Sequence, residues 1–84
     1  MKEKKRVYNR IKVVLAEKHK TNKDLAKALG KQIGHISRYV TNDVQPPLSV
    51  LFEIAAFLEC DARELIVSSL EPPVYLTNKD ADKD

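Results

Sequence analysis

A single glycine between two apolar patterns of helical period limits most strongly how this chain can fold. In TNKDLAKALGKQIGHISRYV, residues 21–40, apolar side chains recur at helical spacing both before and after Gly30. Glycine ends a helix at the least cost because it readily adopts a positive φ. The sequence therefore predicts two short helices joined by a tight turn. Their predicted inward faces are Leu25, Ala26 and Leu29, followed by Ile36, Tyr39 and Val40.

Three further helices are predicted around this pair, so the predicted fold class is all-α with no strand required. The first helix lies in VYNRIKVVLAEKHK, the fourth is LSVLFEIAAFLE, and the fifth is ARELIVSSL, which two prolines end. The predicted inward residues of the first and fourth helices are Val7, Ile11, Val14 and Leu15, then Leu48, Leu51, Ile54, Ala55 and Leu58. Thr21 with Asp24, and Asp61 with Glu64, have the spacing of capping boxes, which mark helix starts.

The length of 84 residues allows one domain, which we place at residues 1–70. Residues 71–84 begin with two prolines and end in TNKDADKD, so we expect a disordered polar tail. The segment VYL at 74–76 is too short to assign, either as a docking strand or as an unstructured piece.

Charge is segregated along the chain. Residues 1–45 carry twelve Lys/Arg and four Asp/Glu, a net charge of +8, whereas residues 46–84 carry three Lys/Arg and eight Asp/Glu, a net charge of −5. A basic half of this kind favours an anionic partner, and nucleic acid first of all. A basic amphipathic first helix also fits a membrane surface, but it lacks large apolar anchors.

The remaining composition excludes several classes of protein. No apolar run is long enough to cross a bilayer, and MKEKKRVYNR is not a secretory signal. Cys60 is the only cysteine, so we expect a reducing interior, the cytoplasm, and an ordinary small buried thiol. There is no Gly-rich phosphate loop, no Ser/His/Asp set and no metal-ligand spacing, so we expect neither an enzyme nor a bound cofactor or metal.

The order of these segments resembles one known family. NRIKVVLAEK, TNKDLAKALG and HISRY resemble the first, second and recognition helices of the Cro/repressor-type helix-turn-helix (xenobiotic-response-element-like) regulators. Pro46 with LSVLFEIAAFLECDARELI resembles that family's Pro-initiated fourth helix and capped fifth helix. Over residues 9–66, the resemblance implies a compact five-helix bundle of the lambda-repressor-like DNA-binding type, with the helix-turn-helix at helices 2 and 3. It also implies a transcriptional regulator, as a repressor, that reads the major groove with residues 32–39.

The resemblance also implies site residues. The candidates for contacts to base edges are Gln32, Ile33, Gly34, His35 and Arg38. Gln32 suits adenine, Arg38 suits guanine or a phosphate, and Gly34 lets the helix approach the DNA closely. The candidates for contacts to phosphate are Thr21, Asn22, Lys23, Lys31, Ser37, Thr41 and Asn42. Two departures from the family stand out: Lys31 replaces a buried Val and must turn outward, and Gln32 is a poor helix cap.

One recognition helix reads only a few base pairs, so we expect a homodimer on a two-fold operator. The candidate interface residues are Leu65, Ile66, Leu70 and Tyr75. Two alternatives remain: an antitoxin-like module whose tail folds on a protein partner, and a non-specific or RNA-binding basic domain. The second lacks the interleaved aromatic residues of a stacking surface.

Overall fold

The computed structural model describes residues 4–77, which form four α-helices, one short 3-10 helix and a two-stranded sheet. The elements in chain order are β1 (Lys4–Arg6), α1 (Ile11–Glu17), α2 (Asn22–Leu29), α3 (Ile33–Val40), α4 (Leu48–Leu58), the 3-10 helix Ala62–Leu65, and β2 (Tyr75–Thr77). The predictions of five helices and of a purely all-α fold were therefore wrong, although the chain is mostly helical and compact. No helix within residues 4–77 combines the length and apolarity that a membrane span requires.

The core is built from one face of each helix. Its buried residues are Ile11, Val14, Leu15, Leu25, Ala26, Ile36, Tyr39, Val40, Leu51, Ile54, Ala55, Leu58 and Leu65. The predicted inward faces of α2 and α3 are confirmed, with Leu29 packed at the edge. Leu48 is the error in α4: it lies in the first turn and is 67% exposed.

All four α-helices end in the same way. A residue with positive φ follows each helix, at His19 (φ 58), Gly30 (φ 67), Asn42 (φ 64) and Glu59 (φ 55). The next N–H then donates to a carbonyl five residues earlier, as from Lys31 to Ala26 at 3.0 Å and from Cys60 to Ala55 at 3.0 Å. This is the Schellman arrangement, and it satisfies carbonyls that the helix itself leaves without partners. Among these four residues, glycine takes the conformation at the lowest cost, and asparagine also tolerates it.

The two ends of the described chain pair with each other. β1 and β2 are antiparallel, with Lys5 opposite Leu76, and the N–H of Val7 donates to the carbonyl of Val74 at 2.7 Å. Val7 therefore lies in an extended segment, and α1 begins only at Ile11, which corrects the predicted start of the first helix. The segment VYL contributes Tyr75 and Leu76 to β2. The rest of the tail predicted to be disordered, residues 78–84, lies outside the described residues.

The predicted fifth helix is replaced by one turn of 3-10 helix. Asp61 accepts a hydrogen bond from the N–H of Arg63 at 2.8 Å rather than forming the expected capping box with Glu64. The side chain and N–H of Arg63 lower the pKa of Asp61 to about 2. The chain then turns extended at Ile66 (φ −120), because residues 65–67 pair with the segment before α1. The N–H of Arg10 donates to Leu65 at 2.8 Å, and that of Val67 donates to Tyr8 at 3.0 Å.

Candidate nucleic-acid interface

The two faces of α3 differ sharply in exposure. Ile36, Tyr39 and Val40 are buried in the core. The candidates for base contacts share the opposite side and are all exposed: Gln32, Ile33, Gly34, His35 and Arg38. A Cβ added at Gly34 meets no atom within 4 Å, so the surface in front of this turn is open. Gln32 makes no side-chain cap, as expected for a poor capping residue, and its amide remains available for an external partner.

His35 is held in one orientation by Tyr39, one helical turn further on. The His35 Nε2 lies 2.9 Å from the Tyr39 hydroxyl. The two rings meet edge to face, with centroids 4.9 Å apart and planes at 83°. The sequence predicts Tyr39 as a core residue with its hydroxyl at the surface, and it does not predict the contact of that hydroxyl with His35. Because the spacing of i and i+4 places two side chains on one helix surface, that spacing was the available signal for this contact.

A lysine-rich cleft lies where the N-termini of α2 and α3 meet α1. The candidates Thr21, Asn22 and Lys23 line it together with Ile33. Lys12 and Lys20, which are not among the predicted contact residues, line the same cleft. The Lys20 Nζ also lies 5.6 Å from the centre of the Phe57 ring. The basic first half of the chain predicts that some lysines bind an anion, but it does not show that Lys12 and Lys20 lie together.

The start of α2 is fixed by the predicted capping box. The N–H of Asp24 donates to the Thr21 hydroxyl at 3.1 Å, and the N–H of Thr21 donates to the Asp24 carboxylate at 2.9 Å. These bonds lower the pKa of Asp24. The box leaves Asn22 and Lys23 in the first turn, beside N–H groups that attract anions. The other phosphate candidates Lys31, Ser37 and Thr41 are half-buried, with part of each side chain at the surface.

Asn42 does not belong to this surface. Its side chain is buried, and its Oδ1 accepts from the N–H groups of Tyr8 at 2.9 Å and Asn9 at 3.0 Å. Asn9 in turn donates to the carbonyl of Tyr39 at 3.0 Å and to the side chain of Gln45 at 2.7 Å. The side chain of Asn42 thus ties the end of α3 to the segment before α1, and we remove it from the phosphate candidates.

One of the four candidate dimer residues is buried. Leu65 has no exposed surface because it is part of the core. Ile66 is 47% exposed, whereas Leu70 and Tyr75 are exposed further along the chain. We therefore remove Leu65 from the interface candidates.

Comparison with known proteins agrees with this geometry. A family model described as helix-turn-helix matches residues 11–65, which include all four helices and the 3-10 turn. The chain belongs to the Cro/CI-type helix-turn-helix family. Its turn is formed by the three residues between α2 and α3, which begin with Gly30. The predicted resemblance is confirmed.

A solved structure, described as that of "a putative DNA-binding protein from Bacteroides fragilis", is similar to this helix-turn-helix chain. The two share 46% identity with a TM-score of 0.69, over 77% of this chain and 100% of that one. A search of curated proteins gave no significant match.

Proposed function

We propose that this protein is a sequence-specific regulator of transcription, a repressor that reads the major groove of duplex DNA with residues 32–39. One observation carries the proposal: the outer face of α3 is open while its inner face is locked into the core. A rigid helix with a free outer face is what insertion into a groove requires. Membership of the helix-turn-helix family and a structural relative described as DNA-binding support the same conclusion.

Each exposed side chain of α3 has a suitable partner on DNA. Gln32 matches the donor and acceptor pattern of adenine, Ile33 matches the methyl group of thymine, and Arg38 matches guanine or a phosphate. His35, held by Tyr39, presents its Nδ1 edge away from that contact. Gly34 brings the backbone near the bases.

The cleft beside α2 binds the phosphate backbone of DNA, whatever the base sequence. Thr21, Asn22 and Lys23, with the converging Lys12 and Lys20, suit one phosphate group. Lys31, Ser37 and Thr41 extend these contacts on either side of α3. Each neutralised phosphate releases counterions, so binding by this cleft weakens as salt rises.

We further propose that the protein acts as a homodimer on a two-fold operator in the cytoplasm. A single recognition helix reads too few base pairs to select a site, whereas two half-sites multiply the affinity. Occupying such an operator blocks access to the adjacent promoter, which is the simplest route to repression.

Selection of binding sites from a random duplex library tests the proposal. We expect a two-fold symmetric motif that is bound at least ~10³-fold better than scrambled DNA. Gln32→Ala and Arg38→Ala should lower operator affinity by roughly 10- to 100-fold and leave scrambled DNA nearly unaffected. Lys31→Ala and Lys20→Ala should weaken both and reduce the salt slope by about one.

Arg63→Ala is the matched control for Arg38→Ala. Arg63 is exposed like Arg38 but lies in the 3-10 helix, outside the proposed interface. Its replacement should leave both affinities unchanged. Equal losses on operator and scrambled DNA for Gln32→Ala and Arg38→Ala would show that these residues do not read bases.

A further inference from the structure

A carboxylate lies in the loop that follows α3, next to the proposed DNA interface. The side chain of Asp43 is 50% exposed there. The N–H of Asp43 donates to the carbonyl of Arg38 at 2.9 Å, and the N–H of Val44 donates to the same carbonyl at 3.2 Å. These two hydrogen bonds fix the backbone of Asp43 beside Arg38, which is one of the candidates for reading a base.

The carboxylate of Asp43 is paired with a lysine of β1. The Lys5 Nζ donates to the Asp43 Oδ1 in an ion pair that joins β1 to the loop after α3. The side chain of Lys5 is only 19% exposed, so the pair is partly shielded from water and salt. The Thr41 hydroxyl lies 3.4 Å from Oδ2, the second oxygen of the same carboxylate. Both oxygens of Asp43 therefore have a partner within the protein.

The neighbouring charges favour the ionised form of Asp43. The Lys5 ammonium is the main cause that lowers the pKa of this carboxyl. The Thr41 hydroxyl and the charge of Arg38 also lower the pKa, and burial opposes them. Arg38 therefore lies within electrostatic range of Asp43. Two cations can pair with one carboxylate, and Lys5 is the one in contact with it.

The geometry of β1 directs Lys5 to this loop. Successive side chains of a strand point to opposite sides, so Lys4 and Arg6 face away from Lys5. The guanidinium carbon of Arg6 lies 5.1 Å from the centre of the Tyr8 ring. Lys5 is opposite Leu76 in the antiparallel pairing of β1 with β2. This pairing holds β1 in place, and with it the lysine that contacts Asp43.

We propose that Lys5 is a positioning residue for DNA binding: by pairing with Asp43, it leaves the guanidinium of Arg38 available to reach a base. The proposal rests on the proposed function, in which Arg38 contacts guanine. Without Lys5, the carboxylate pairs with Arg38 instead, because the backbone already holds these two residues side by side and a guanidinium suits a carboxylate. Arg38 would then have to leave an ion pair before it could bind DNA.

Anisotropy titrations of Lys5→Met with operator and with scrambled duplex test the proposal. Methionine keeps an unbranched side chain but removes the charge. We expect the ratio of operator affinity to scrambled affinity to fall by roughly two- to fivefold, the effect of one competing ion pair near the surface. Adding Asp43→Asn to Lys5→Met removes the competing carboxylate and should restore the ratio.

Lys4→Met is the matched control. It removes the same charge from the adjacent residue, which is exposed and lies on the other side of β1. The loss of one positive charge should weaken binding to both duplexes alike, so the ratio should stay at the parent value. An equal fall of the ratio in Lys4→Met would overturn the inference, because charge alone would then explain the result.

A measurement without DNA separates this inference from the proposed function. In Lys5→Met, the NMR signal of the Arg38 Nε–H should shift as the guanidinium pairs with Asp43, and Asp43→Asn should reverse the shift. An unchanged Arg38 signal or an unchanged ratio in Lys5→Met would overturn the inference. So would a lowered ratio that Asp43→Asn does not restore, since that is expected if Lys5 merely holds β1 in place. A parent protein without operator preference contradicts the proposed function, whereas the Arg38 signal still decides whether Lys5 keeps Asp43 from Arg38.

Discussion

Gly34→Ala separates the stability of α3 from its proposed role in DNA binding. Gly34 lies in the first turn of α3, is exposed, and has open space where a Cβ would be added. Its φ is not positive, so alanine fits the backbone without strain. Replacing a helical glycine by alanine adds about 0.5–1 kcal/mol of stability, because the unfolded chain loses conformational freedom. For a chain of this size that is a rise of roughly 2–8 °C in the unfolding midpoint.

The effect on DNA binding should have the opposite sign. If the α3 backbone at Gly34 approaches the bases, the added methyl group separates the surfaces. We expect operator affinity to fall by about tenfold or more, equivalent to the ~1.4 kcal/mol of one lost contact. Affinity for scrambled duplex depends on phosphate contacts and should stay near its original value. Differential scanning calorimetry and fluorescence-anisotropy titration of the same preparation measure the two effects.

Gly30→Ala provides the matched control, with the same chemical change at a different backbone conformation. Gly30 has a φ of 67°, so alanine there should lose about 1–2 kcal/mol. A stability gain at Gly30, or a loss at Gly34, would refute the backbone argument. Unchanged operator affinity in Gly34→Ala would refute the close approach of this turn to DNA while leaving the stability argument intact.

Three other substitutions test contacts that local sequence patterns do not reveal. Tyr39→Phe keeps the buried ring but removes the hydroxyl that holds His35, so operator affinity should fall severalfold. The free energy of unfolding should fall by about 1 kcal/mol or less. An unchanged DNA titration would mean that this contact does not orient the imidazole for binding. Asn42→Ala leaves two buried N–H groups without an acceptor, so the free energy of unfolding measured in urea should fall by roughly 2–5 kcal/mol. A loss below about 1 kcal/mol would show that these hydrogen bonds do not stabilise the fold as described. The pKa of Asp61 is about 2 in the folded protein, whereas the ordinary pKa of an aspartate is 3.8, so its stabilising effect is present above pH 3.8 and disappears as the pH falls through about 2. Asp61→Asn should therefore flatten the decline of the unfolding midpoint between those pH values, and an unaltered decline would exclude Asp61 as its source.

The helix-turn-helix unit could be predicted because its signals are local. The capping box of Thr21 and Asp24 spans one turn, and Gly30 marks the helix end by its own conformational freedom. The inward faces of α2 and α3 follow from helical spacing alone. Each of these inferences uses residues within a few positions of one another, and each is confirmed in the structure. The exposed outer face of α3 then follows from the buried one.

The errors lie where the structure depends on distant partners. Val7 has helical spacing with Ile11, but its N–H pairs with Val74, so it is extended. Ile66 continues an apolar pattern, but it lies opposite Asn9 in an isolated bridge, and the predicted fifth helix ends after one turn. Leu48 has the right spacing for the core, but it lies where α4 begins, and no element within residues 4–77 covers it. A local pattern predicts which face of a helix is apolar. It does not predict which distant segment of the chain packs against that face.

Asn42 has both a local role at the end of α3 and a long-range role in the fold. Its positive φ ends α3, and its side-chain oxygen accepts from backbone groups 34 and 33 residues earlier in the chain. An amide is well suited to both roles, because asparagine tolerates the left-handed conformation and also offers a donor and an acceptor. The residue that ends α3 therefore also fixes the segment leading from β1 into α1. The family match begins only at residue 11, but the end of α3 also contacts the segment just before it, at Tyr8 and Asn9.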